Sequence, residues 1–161
     1  MASARRSGPW QATAAALLAG IALAWPPSAA LGADYYKTVG GYAIYIGILP
    51  AQVVQGHARE HPEGTMHGGA PSGRHQYHLV VALFDAATGA RVDDAQVTAK
   101  VGEPGLAPVE KRLEPMPIAG AMSYGNYFPI PAPGPYRIDL RVVRRGSGTP
   151  VDASFTHSHP R

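Results

Sequence analysis

The chain has 161 residues, which gives room for one domain and hardly two. Only 16% of residues are charged, with a formal net charge of +3, while 45% are hydrophobic, so a packed core is available and global disorder is excluded. There is no cysteine, which removes disulfides, thiolate zinc and iron–sulfur sites, a thiol nucleophile and a blue-copper centre.

In chain order, Arg5 and Arg6 come first, followed by an uncharged apolar run, Ala12–Trp25. Pro26, Pro27 and Ser28 break that run, and small residues follow up to Ala33. This is the layout of a secretory signal peptide over residues 1–32, with cleavage near Gly32. A retained anchor is the alternative, but the run is short against the ~20 residues of a membrane span. Cleavage removes Arg5 and Arg6 and takes the net charge from +3 to +1. Lys111-Arg112 and Arg144-Arg145 are isolated pairs, so no basic stripe for nucleic acid is present. The expected location is periplasmic or secreted.

Residues 33–161 read as short strands between Gly/Pro turns. Val39–Leu49 is rich in Tyr and Ile, and Gln76–Asp85 is apolar on both faces, as in a central sandwich strand. Arg91–Val101 alternates, Val109–Leu113 is a short charged edge strand, and Ser123–Ile130 carries three aromatic residues. Tyr136–Val143 alternates strongly, and Val151–Thr156 is a last strand. No window holds a 3.6-residue period. About seven short strands predict an all-β fold, one antiparallel β-sandwich. Tyr136, following Gly134-Pro135, is placed to hydrogen-bond backbone at a corner of such a sandwich. A core tyrosine is the simpler alternative.

One segment has no apolar period. The loop at 55–74 is rich in His, Gly and Pro and too long for an ordinary connection. His57, His61 and His67 lie in it, and His75 and His78 follow closely. Imidazole suits copper, zinc, nickel and iron, and thioether sulfur adds a preference for Cu(I). A solvated polar loop is the plain alternative for His57, His61 and His67. His78 falls inside an apolar strand, where an imidazole needs a partner or a ligand role. Met116 and Met122 flank the small-residue turn Pro117–Ala121 and are the candidate soft ligands. The His157-x-His159 pair is expected to fray. No catalytic constellation stands out, and the Ser123 surroundings lack the strand–turn–helix of a nucleophile elbow. The chain is therefore not expected to be an enzyme.

Several motifs occur in a familiar order: Gln76-Tyr77-His78-Leu79, Glu114-Pro115-Met116, Tyr124-Gly125-Asn126-Tyr127 and Gly134-Pro135-Tyr136. In this the chain resembles the periplasmic metal-binding proteins that accompany bacterial ferrous-iron permeases. That resemblance implies an immunoglobulin-like sandwich, often dimeric, that binds copper and is linked to iron uptake. It implies His78 and Met116 as ligands. The family's third ligand position falls on Ser123, with Met122 beside it, and its acidic position two after the strand histidine falls on Val80. The family's late histidine has no match. His57, His61, His67, His157 or His159 could complete a site. The phrase Thr88–Val97 also resembles YtkA-like exported domains.

The expectation is thus an exported protein that binds or delivers metal, through His78, Met116, Met122, His75, His67, His57 and His61. Copper, as Cu(I) or Cu(II), is the expected metal, with iron and zinc as further candidates. Expected partners are the metal ion, an inner-membrane metal permease and a second copy of the chain, without nucleic acid. A non-metal interaction module of the cell envelope is the alternative.

Overall fold

A computed structural model describes residues 34–55, 69 and 71–159. The expected signal peptide and the histidines at 57, 61 and 67 lie outside the described residues. The described part is built from eight antiparallel strands and one short helix. They are β1 (Tyr36–Val39), β2 (Tyr42–Pro50), α1 (Ala51–Gln55), β3 (Gln76–Asp85), β4 (Ala95–Gly102), β5 (Val109–Ile118), β6 (Ala121–Pro129), β7 (Gly134–Arg144) and β8 (Val151–His159). The hydrogen-bonded order is β1-β2-β3-β6-β5-β4-β7-β8. The all-β sandwich is therefore present.

β5 is the strand that joins the two layers. Its first half pairs with β4, as Val97↔Leu113 to Val101↔Val109. Its second half pairs with β6, as Glu114↔Gly125 to Ile118↔Ala121. The expected short edge strand at Val109–Leu113 is thus half of a longer strand that changes layer at residue 113. Alternating side chains from both layers meet in one core. Ile44, Val81, Leu83 and Phe128 come from the first layer, and Val97, Ile138, Leu140 and Phe155 from the second.

Two local features differ from the sequence reading. The Val39–Leu49 run is two strands, because Gly40 and Gly41 both take positive φ (55° and 81°) and close a hairpin. Such a turn needs two left-handed residues and matches the twist of its strands. The last strand runs to His159, so His157 and His159 are ladder residues opposite Tyr136 and Gly134. The strand endings are not frayed.

The tyrosine corner is present. The Tyr136 hydroxyl donates to the Ala132 carbonyl at 3.1 Å and accepts from the Ala132 N–H at 3.2 Å. Desolvation raises the phenol pKa above its ordinary value of 10.0, which keeps the donor in place at all ordinary pH. Tyr136→Phe removes these bonds and the hydroxyl's contact with Glu103 Oε1 at 3.3 Å, and a loss of about 1–1.5 kcal/mol in urea unfolding is expected. An unchanged midpoint would mean that the ring alone holds the corner.

Candidate metal centre

The two layers leave one broad outer face on the β2-β3-β6 sheet. Core residues of β3 are Leu79, Val81 and Leu83, so alternation turns His78, Val80 and Ala82 outward. On β6 the core residues Tyr124 and Phe128 turn Ser123, Gly125 and Tyr127 to the same outer side. The ladder then fixes the neighbours: His78↔Tyr127, Val80↔Gly125 and, on the far side of β6, Glu114↔Gly125 and Met116↔Ser123.

Although they lie on an outer face, His78 and Met116 are 1% and 0% exposed. They converge on Gly125. A Cβ built at Gly125 would stand 2.7 Å from Met116 Cε and 2.8 Å from His78 Nε2, with the Leu79 carbonyl oxygen at 3.0 Å. The missing side chain at this position is therefore what allows the thioether and the imidazole to approach one another. Tyr127 stacks on the His78 ring at 4.6 Å between centroids and 24° between planes, which fixes the ring's plane.

The β5–β6 hairpin sets the Met116 register. Its tip takes positive φ at Ala119 (49°) and at Gly120 (78°). Only the second of these residues adopts that conformation without a steric cost.

The remaining sequence candidates are spread differently. Met122 precedes Ser123 on β6, so alternation turns it to the opposite face from the His78–Met116 pair. Its carbonyl accepts from Arg91 Nε at 2.7 Å. His75 is exposed just before β3, and its carbonyl accepts from Ile130 N–H at 2.8 Å. Ser123 is buried, and its hydroxyl oxygen accepts from an Arg91 guanidinium N–H at 3.2 Å. A fixed positive charge thus stands where the resembled family has its third ligand. Among the described residues no three His, Asp or Glu side chains gather as ligands. The donor set is one nitrogen and one sulfur.

Three residues of the site escaped the sequence reading. Gly125 and Tyr127 enter the sequence analysis only as members of the motif Tyr124–Tyr127, and Tyr127 also as an aromatic of a strand, with no role assigned to either. Glu114 shares a cross-strand row with Gly125 and Val80, so a carboxylate-bearing residue sits in the row where Val80 takes the family's acidic position. The spacing Glu114-Pro115-Met116, two residues on one strand face, was the available signal.

Next to the pair lies a cleft of about 370 Å³, bordered by Tyr45, Gly47, Leu49, Val80, Ala82 and Ile118 as well as His78. Tyr45 and Leu49 are 47% and 41% exposed there.

Solved structures of similar fold bear on this geometry. FetP of uropathogenic Escherichia coli superposes with a TM-score of 0.60 at 14% identity, covering 80% of this chain and 94% of that one. Copper-reconstituted P19 of Campylobacter jejuni gives 0.57 at 11% identity, covering 77% and 92%. A DUF4426 family protein of Pseudomonas aeruginosa gives 0.58 at 14% identity, covering 78% and 97%. The chain shares their fold. By sequence, no family model and no curated protein matches the chain. The P19 structure holds copper, as does a variant of FetP. The shared fold is the sandwich that the resemblance read from the ordered motifs implies.

Proposed function

We propose that the chain is an exported copper-binding protein that holds Cu(I) between His78 and Met116 and hands it on, without turning over a substrate. The observation that carries this reading is the convergence of His78 Nε2 and Met116 Cε on the bare face of Gly125. A buried imidazole and a buried thioether brought together are a soft donor set, and soft sulfur ligation selects Cu(I). The Arg91 guanidinium at Ser123 favours a monovalent over a divalent ion by simple repulsion. Iron and zinc fit less well, since both favour more nitrogen and oxygen donors than the pair supplies. The copper held by proteins of the same fold supports the reading.

Export by a signal peptide cleaved near Gly32 would put the protein in the periplasm, with an inner-membrane metal permease as recipient and a link to iron or copper uptake. The exposed Tyr45 and Leu49 beside the cleft suit a protein partner, either that permease or a second copy. The same patch favours a second reading, an interaction module of the cell envelope that carries no metal.

The test is an anaerobic Cu(I) titration of residues 33–161, without a tag, against a competing chelator, with Cu(II), Zn(II) and Fe(II) in parallel. A tight Cu(I) equivalent is expected, weakened about 100-fold or more by either His78→Ala or Met116→Ala. Affinity unchanged in both variants would overturn the metal reading and leave the interaction module.

A further inference from the structure

β8 carries two histidines on one face. Its core-facing residues are Ala153 and Phe155, and the same alternation continues to His157 and His159. His157 is 8% exposed, and among the described residues its Nε2 is buried without a hydrogen-bond partner. An imidazole nitrogen left in that state is unfavourable, so its presence calls for an explanation.

One further nitrogen on each ring is engaged. The Tyr35 phenol oxygen lies 3.4 Å from His157 Nδ1, and the Tyr77 phenol oxygen lies 3.3 Å from His159 Nε2. With those nitrogens donating N–H to the phenol oxygens, the lone pairs fall on His157 Nε2 and His159 Nδ1. That is the usual arrangement of ligating histidines, in which the non-ligating N–H is held by an outer acceptor.

We propose that His157 and His159 form a second metal site, a two-imidazole site for Cu(I), on the core side of β3 and separate from the His78–Met116 pair. The ring centroids are 6.3 Å apart. With metal–nitrogen bonds of roughly 2 Å, and a nitrogen roughly 1 Å from its ring centre, two imidazoles on one ion stand about 5 Å apart at a tetrahedral angle and just over 6 Å apart in a line. The observed separation is close to the ordinary spacing of same-face neighbours on a strand, and it permits the linear arrangement, which Cu(I) accepts and Zn(II) does not. No carboxylate contacts either ring among the described residues, so a monovalent ion is also the cheaper charge to bury. Tyr77 and His78 are consecutive on β3, so the two sites lie on opposite faces of one strand.

The test uses residues 33–161 with His57, His61, His67 and His75 replaced by Gln, which removes the loop histidines as competitors. Ag(I) serves as a redox-inert probe of Cu(I) ligation. Long-range nitrogen-15 correlation spectra are expected to show the His157 Nε2 and His159 Nδ1 resonances moving at one equivalent per site. His157→Phe with His159→Gln is expected to remove one bound equivalent and leave the His78 resonances responsive. His78→Ala with Met116→Ala is expected to leave the His157 and His159 shifts in place, so failure of one site is read separately from failure of the other. His159→Gln alone, at the less buried position, covers the case in which the double variant does not fold. Ring resonances of His157 and His159 unmoved by two equivalents, or a stoichiometry indifferent to His159→Gln, overturn the proposal.

Discussion

Gly125→Ala is expected to lower Cu(I) affinity by about 100-fold or more while the chain remains folded. The added methyl would meet Met116 Cε, His78 Nε2 and the Leu79 carbonyl oxygen, at 2.7, 2.8 and 3.0 Å. The carbonyl belongs to a paired strand and cannot retreat, so the imidazole and the thioether must separate. Overpacking of this kind costs about 1–3 kcal/mol, which a domain of ordinary stability survives. Gly125 does not have positive φ, so contact alone causes the loss. Gly47→Ala is the matched control: it lies on the same outer face, and nothing stands within 4 Å of its Cβ position. Chelator competition and thermal melts on the two variants separate the effects. A Gly125→Ala protein that binds copper like the parent would place the site elsewhere.

Phe155→Ala is expected to be the most damaging single truncation of β8, at about 3–5 kcal/mol. The ring is buried opposite Ile138 and packs in the common core. Lys37 Nζ stands 5.4 Å above it, so β1 also rests on this ring. Loss of both the core volume and the cation contact should lower the urea midpoint by about 2 M. A shift under 0.5 M, at least fourfold smaller than expected, would show that β8 is held by its ladder to β7 alone.

How far the sequence anticipates the molecule depends on what each residue had to signal. The Gln76–Asp85 strand was read with its true ends, because it is apolar on both faces and bounded by turn residues. β5 was cut short because Pro115 and Pro117 read as breakers. Both are exposed in a half-strand that pairs with β6 on one side only, where a proline nitrogen facing the open side breaks no ladder bond. The ordered motifs single out His78 and Met116 as candidates. Their meeting at Gly125 was not legible, since it depends on the register of β3 against the β5–β6 hairpin, which is distant from it in sequence. His157 and His159 were expected to fray because two histidines near an end carry no strand signal of their own. Their ladder to β7 extends the strand.

The two outermost strands of the sheet order, β1 and β8, come together. Lys37 reaches over Phe155, Tyr35 reaches His157, and a Cβ at Gly40 would collide with Val151 at 2.6 Å. Each therefore shields the other's unpaired backbone edge, the part of a β protein most prone to recruit a foreign strand. A lesion at this seam, such as a bulky residue at position 40, would bare two templates at once. Its first symptom would be self-association into strand-exchanged or fibrillar material rather than loss of copper.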